Sequence, residues 1–175
     1  AAAIIFGALG AFGQNDFKRL VAYSSVNHMG FVVLGIAAAA WAAGTQNAVI
    51  AVNRAVLQMF NHGLSAAGMF FLVGVLYERT HTRNIQDYSS LVQVMPRFAL
   101  FMTITLLATM GLPGSVGFVA ELHALIGGFQ QWGGLMVFCS MSILISAGYA
   151  MRTIGLLFTG PVKPQMQQIA DLKTP

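Results

Sequence analysis

Two histidines and one glutamate stand in otherwise apolar stretches of the sequence, and their side chains suit proton transfer. They are His28, His62 and Glu121. Histidine exchanges a proton near neutral pH, and a carboxyl group removed from water can do the same. If these stretches cross a membrane, each ionisable group costs about 2.5–3.5 kcal/mol to insert. We therefore predict a proton relay that runs from helix to helix along the membrane plane.

Structural interpretations compete with this prediction. His28 adjoins Asn27 and follows Ser24 by one turn, and a histidine in such surroundings is equally often a packing residue bonded to a neighbouring helix. For Glu121 the alternative is a buried ion pair with a lysine. We favour protonation of Glu121, because it is the only carboxylate deep in an apolar stretch and it follows a proline–glycine pair.

His62 belongs to a polar stripe on an otherwise apolar segment. Gln58, Asn61, His62 and Ser65 follow the i, i+3, i+4, i+7 spacing, so a helix presents them on one face. At the centre of a bilayer such a face must lie against protein or water. Hydrogen bonding between helices explains the two amides and the hydroxyl well, and it explains the imidazole less well.

Composition requires a membrane around these residues. Hydrophobic residues make up 57% of the 175 residues and charged residues 8%, whereas a soluble domain carries about 25% charge. This excludes a soluble enzyme, a disordered tail and a nucleic-acid binder, despite a pI of 9.7. One cysteine, Cys139, excludes a disulfide framework and a thiolate metal cluster, and no metal-ligand spacing appears.

The apolar stretches predict an all-α, polytopic transmembrane bundle, since each span needs about 20 apolar residues. We expect about five spans, at 1–13 (partial), 20–41, 48–77, 98–129 (broken) and 132–158, and a polar tail or loop at 161–175. The first stretch ends after 13 residues, and the sequence does not begin with methionine. We expect a fragment that begins inside a transmembrane helix.

The stretch 98–129 is too long for one continuous span, since its 32 residues would extend about 48 Å as a helix. Gly111, Pro113 and Gly114 lie near its middle, where proline removes a backbone donor. We predict one span that is broken near Gly111–Gly114. Two short helices in a re-entrant hairpin are the alternative.

The distribution of lysine and arginine predicts the topology, because cytoplasmic loops are enriched in both. The loops 14–19 and 78–97, the tail and the adjoining helix ends hold eight of the nine basic residues, and the other side holds only Arg54. We expect the basic side to face the cytoplasm across the cell inner membrane, or the equivalent compartment of a mitochondrion or plastid. The eight residues are Lys18, Arg19, Arg79, Arg83, Arg97, Arg152, Lys163 and Lys173.

Four segments resemble, in order, motifs of the antiporter-like subunits of respiratory complex I. Residues 16–30 are similar to D-x-K-R-L-x-A-Y-S-S-V-x-H-M-G, and residues 57–64 are similar to L-Q-M-x-x-H-G-L. The loop Y-E-R-T-H-T-R at 77–83 also resembles the family. Residues 111–121 are similar to the broken-helix motif G-L-P-G-x-x-x-F-x-x-E.

Within this family the residue at position 121 discriminates between branches. Subunits L and N and the Mrp-type antiporter subunits typically carry lysine there, whereas Glu121 with the loop at 77–83 is similar to the branch called subunit M, or chain 4. The resemblance implies that His28, His62 and Glu121 form a central hydrophilic axis with Glu121 nearest the exit. Lys18 and Asp16 match a motif on the cytoplasmic side.

The resemblance implies a non-redox subunit of a proton-translocating NADH:quinone oxidoreductase. NADH, FMN, iron–sulfur clusters and quinone would be bound by other subunits, so we expect no cofactor and no metal in this chain. Its partners would be other membrane-arm subunits and the lipid bilayer, with no nucleic acid. The alternatives are a secondary cation/proton antiporter subunit and the membrane arm of a formate- or hydrogen-oxidising complex. A purely structural anchor explains the buried glutamate and histidines least well.

Overall fold

A computed structural model describes residues 1–167 and 169–172. These residues form an all-helical bundle, which confirms the predicted fold class. Lys173, which the sequence places on the basic side, lies outside the described residues. The helices are α1 (Ala2–Phe12), α2 (Phe17–Trp41), α3 (Gln46–Thr80), α4 (Leu91–Val94), α5 (Pro96–Thr109), α6 (Val116–Trp132) and α7 (Gly134–Phe158), with short 3-10 turns at Ile85–Asp87 and Pro164–Met166.

Three of these helices, α2, α3 and α7, are long and apolar enough to cross a membrane. The helix α2 begins three residues before the predicted start at position 20, because Asp16 caps its N-terminus. The Asp16 carboxylate accepts a hydrogen bond from the backbone N–H of Arg19 at 3.1 Å. This contact satisfies one of the donors that every helix start leaves unpaired.

The predicted break is present between α5 and α6, where residues 110–115 leave the helical conformation. Gly111 has a φ of 70° and Gly114 a φ of 102°, which glycine adopts without steric cost. Ser115 then caps α6 by accepting a hydrogen bond from the backbone N–H of Phe118 at 3.2 Å. Both halves pack against α3 and contact each other little, as expected for one broken helix rather than for the two arms of a hairpin.

The basic loops meet at one end of the bundle. The backbone N–H of Phe17 donates to the carbonyl of Arg83, and that of Ile85 donates to the carbonyl of Asn15, both at 2.8 Å. From α7, the Arg152 guanidinium donates to the carbonyl of Phe12 at 2.9 Å and to the Asn15 side chain at 2.9 Å. The segment between α1 and α2 is thus held by both the loop after α3 and the end of α7.

The segment after α7 packs against this same end of the bundle. The Asp171 carboxylate accepts hydrogen bonds from the first backbone N–H groups of α5, at Arg97 (3.0 Å) and Phe98 (3.2 Å). Burial would raise the pKa of Asp171, but hydrogen bonds from the backbone of Arg97, Leu172 and Phe98 and the Arg97 charge hold that pKa below its usual value. An anion at a helix N-terminus is also favoured by the helix dipole.

We predict that this tail is released from α5 in acid. Because the pKa of Asp171 is lowered on docking, its contribution is complete above the ordinary aspartate pKa of about 3.9 and is lost as the pH falls through the lower docked value. Asp171→Asn should release the tail already at neutral pH. Hydrogen exchange of the backbone at 159–172, measured on the full-length subunit in its complex, would detect the release.

The control for this experiment is Glu78→Gln, which removes a carboxylate near the end of α3. It should leave the exchange of the tail unchanged. Slow exchange in Asp171→Asn at neutral pH would show that the tail is held by its apolar contacts alone.

Candidate functional site

The fold brings His28, His62 and Glu121 together from α2, α3 and α6. The Nδ1 atom of His28 lies 2.6 Å from Oε1 of Glu121. The rings of His28 and His62 have centroids 5.4 Å apart and are tilted by 38°. The exposed fraction is 2% for His28, 8% for His62 and 3% for Glu121. The two imidazoles and the carboxylate therefore form one enclosed cluster.

Gln58 and Gly111 complete the surroundings of the carboxylate. The Gln58 amide Nε2 donates to Oε1 of Glu121 at 3.2 Å, so this oxygen faces both an amide and an imidazole. A Cβ atom placed on Gly111 would lie 3.1 Å from the other oxygen, Oε2. The helix break therefore brings a residue without a side chain against the carboxylate. A larger residue there would have to displace it.

His28 has a second partner on α7, the Tyr149 hydroxyl, which lies 3.5 Å from Nε2. The two ring nitrogens of His28 thus face a carboxylate and a phenol. If Nδ1 carries the proton and donates to Glu121, Nε2 accepts from the phenol. If Glu121 carries the proton, it donates to Nδ1 and Nε2–H faces the phenol oxygen. Both proton positions are compatible with the same heavy-atom arrangement.

The sequence interpretation missed this contribution of α7. Ser142, Ser146, Tyr149 and Thr153 follow the spacing i, i+4, i+7, i+11 and are all buried. This is the same kind of stripe as the one on α3, so the signal was present in the sequence. Ser146 accepts a hydrogen bond from Nδ2 of Asn27 at 3.0 Å, which joins α2 to α7 beside the cluster.

The polar stripe of α3 divides into two parts. Gln58 and His62 face the cluster, and both are buried. Asn61 packs against the start of α6, where a Cβ on Gly117 would lie 2.9 Å from its Nδ2. The Ser65 hydroxyl donates to the carbonyl of His62 within its own helix at 3.3 Å. Asn61 therefore packs between α3 and α6, whereas the Ser65 hydroxyl is bonded within α3.

Asp16 and Lys18 do not lie in the cluster. Lys18 precedes His28 by ten residues on α2, which is about 15 Å along the helix. Its Nζ lies 5.1 Å from the centre of the Tyr77 ring, and the guanidinium of Arg83 lies 5.7 Å from the same ring. Asp16 lies 3.9 Å from Arg83 and caps α2. These residues build the basic end of the bundle.

Two amide oxygens beside the cluster have no hydrogen-bond partner among the described residues. They are Oδ1 of Asn27 and Oε1 of Gln58, and both are buried. Buried polar atoms of this kind are commonly satisfied by ordered water. The cluster thus combines groups that exchange protons with acceptor atoms suited to hold water between them. This arrangement suits proton transfer better than binding of an apolar ligand.

Comparison with known proteins identifies a family. A family model described as NADH:quinone oxidoreductase/Mrp antiporter, transmembrane, matches residues 1–146. The chain belongs to this family.

Its relatives include the NADH-quinone oxidoreductase subunit M of Rhodobacter capsulatus, 40% identical over 99% of this chain and 33% of that protein. The NAD(P)H-quinone oxidoreductase chain 4 of Synechococcus elongatus is 43% identical over 97% of this chain and 32% of its own length. The chain therefore spans about a third of the length of the curated relatives it matches. The predicted resemblance to subunit M, or chain 4, is confirmed.

Solved structures show the same fold. A chain of respiratory complex I from Thermus thermophilus superposes with a TM-score of 0.83 at 32% identity, covering 98% of this chain and 34% of that one. A chain of the Mrp complex from Dietzia superposes with a TM-score of 0.77 at 23% identity, covering 93% of this chain and 29% of that one. At that identity the Mrp likeness shows the fold alone.

We predict that Gly111→Ala destabilises the site more than Gly114→Ala does. Both residues have positive φ, where an alanine costs about 1–2 kcal/mol. Only at Gly111 would the new methyl group also press on Glu121, since a Cβ on Gly114 meets nothing within 4 Å. Thermal unfolding of the full-length subunit in its complex measures the difference. Equal effects would mean that the carboxylate moves aside freely.

Proposed function

We propose that this chain is the proton-carrying part of an antiporter-like subunit of a proton-translocating NADH:quinone oxidoreductase. The observation that carries the proposal is the 2.6 Å contact between His28 Nδ1 and Glu121 Oε1. The His62 ring, on the neighbouring helix, lies beside the His28 ring. The names of the relatives, subunit M and chain 4 of such oxidoreductases, agree with it.

In this proposal protons move between the three helices at the centre of the membrane. A proton on His62 passes through water to the His28 ring, which lies beside it. The proton arrives at Nε2 of His28, which then gives its Nδ1 proton to Oε1 of Glu121. The remaining Nε2–H faces the Tyr149 hydroxyl oxygen, and Nδ1 is again an acceptor. Gln58 holds the carboxylate in place by its hydrogen bond. Glu121 is the last of these groups before the outer side.

The redox chemistry belongs elsewhere in this proposal. NADH, FMN, iron–sulfur clusters and quinone would be handled by other subunits, and this subunit would be a non-redox part of the enzyme. The solved relatives are multi-subunit membrane complexes, which supports other membrane-arm subunits as partners. The apolar helices and the family support a multi-pass membrane protein, and we propose the cell inner membrane as its location.

The sharpest test is Glu121→Gln in the full complex. Glutamine keeps the shape and the hydrogen-bond acceptor but cannot release a proton, so assembly should be normal and proton pumping per electron should fall about tenfold or more. Glu121→Asp, which withdraws the carboxyl group by one methylene, should retain partial pumping. Pumping is measured in sealed vesicles during NADH oxidation.

Leu122→Ala serves as the matched control for Glu121, because this neighbouring side chain is exposed and lies outside the cluster. It should pump normally. Normal pumping by an assembled Glu121→Gln complex would leave the carboxylate as a structural partner of His28 and Gln58 only.

We also predict that His62→Ala lowers pumping more than it lowers assembly, because His62 faces His28 rather than a structural partner. Asn61→Ala, one residue away, should lower assembly more than it lowers pumping, since Asn61 packs against Gly117. Protons pumped per electron and the yield of assembled complex separate the two effects. Reduced assembly with normal pumping in His62→Ala would make His62 a packing residue.

A further inference from the structure

A second polar region lies between α2, α3 and α6, towards the outer side of the central cluster. It is a cavity of about 160 Å³ whose charged and titratable lining groups are Arg54 and His123. Asn47, Ile50, Ala51 and Arg54 follow the i, i+3, i+4, i+7 spacing and line it from α3. Small residues of the facing helices, among them Gly35, Ala38 and Gly127, leave the space open.

The cavity lies close to the level of lipid headgroups. Arg54 precedes His62 by eight residues on α3, so it lies about 12 Å outward of the central cluster. Half of the hydrocarbon core is about 15 Å. Side chains of a helix lean towards its N-terminus, and α3 begins at the outer end. From this position a long arginine side chain can reach the headgroup region.

The cavity contains a cation for which the described residues supply no counter-ion. Of the carboxylates in the described residues, Asp16, Glu78, Asp87 and Asp171 lie at the opposite, basic end, and Glu121 is engaged with His28 and Gln58. Within the described ranges, no hydrogen bond or ion pair joins the Arg54 guanidinium to the protein. An arginine stays charged in proteins, so an anion from outside the chain would compensate it.

The start of α3 adds to the positive potential at the mouth of this cavity. The Thr45 hydroxyl donates to the carbonyl of Ala42 at 2.7 Å and leaves the helix without a side-chain cap. No acidic residue lies in the first turn. The unpaired N–H groups of that turn therefore carry partial positive charge.

We propose that this cavity binds a phosphate group, supplied by the phosphodiester headgroup of a membrane lipid. The planar guanidinium of Arg54 matches two phosphate oxygens at once. His123 and Asn47, which line the same cavity, donate further hydrogen bonds. The headgroup level of Arg54 favours a lipid over a free anion. The site is separate from the proton relay and does not depend on it.

The test captures the ligand in the assembled complex with the full-length subunit. A photo-crosslinking residue replaces Ile126, which lines the cavity, and the complex is reconstituted in phosphatidylglycerol vesicles. We expect a phospholipid adduct by mass spectrometry. Arg54→Gln should lower its yield about tenfold, the loss expected for a charge-assisted hydrogen bond. Arg54→Lys, which keeps the charge but not the fork, should lower it less.

Two glycine variants distinguish binding inside this cavity from general contact between lipid and the helix surface. Gly127→Leu should fill the cavity and lower the yield to the level of Arg54→Gln while every charge is kept. Gly74→Leu is its matched control and should leave the yield unchanged, because a Cβ at either glycine meets nothing within 4 Å. Yield and quality of assembly are checked for each variant, so that loss of folding is not read as loss of binding.

The adduct yields test whether the cavity binds phosphate and whether that phosphate belongs to a lipid. Loss of the adduct in Arg54→Gln and Gly127→Leu, with no competition by millimolar inorganic phosphate, supports a lipid phosphodiester. Displacement of the adduct by inorganic phosphate supports the same site with a free anion as a competing source. Equal adduct yields in the original chain and in Arg54→Gln would overturn the proposal, since only lipid tails would then be in contact.

Discussion

The contact between His28 and Glu121 is the constraint to which the rest of this structure is adapted. A carboxylate at the centre of a membrane is expensive unless a polar partner meets it, and removal of one partner leaves the other buried and unpaired. The contact requires α2 and α6 to approach closely. The helix break allows this approach. Gly111 has no side chain and lies against Oε2 of Glu121, and Ser115 caps the N-terminus of α6. Tyr149 of α7 closes the other side of His28.

Much of this arrangement could be predicted from the sequence. The bilayer requires helices that run roughly parallel to one another, so the position of a residue along its helix predicts its depth in the membrane. His28 and Glu121 come to one level once the spans and the break at Gly111 are placed. It is harder to predict which face of each helix points into the bundle. On α3 a single polar stripe marked the inward face, and the structure agrees for Gln58 and His62.

The parts that could not be predicted depend on which faces of different helices meet. The hydroxyl and phenol stripe of α7 was visible, but its spacing does not say that Tyr149 meets His28. Two residues along a helix turn His123 away from Glu121. That turn is what directs His123 into a second space, shared with Arg54, which exists only once α2, α3 and α6 are packed.

The two polar regions share one helix, α3. Arg54 precedes Gln58 by four residues, so they occupy one face of the helix about 6 Å apart along its axis. Gln58 holds the carboxylate that takes part in the proposed relay. A cation without a counter-ion is costly where the effective dielectric constant is low. A phosphate bound to Arg54 would remove that cost. The helix α3 would then carry a neutralised cation near its outer end and, one turn further along, the amide that holds Glu121.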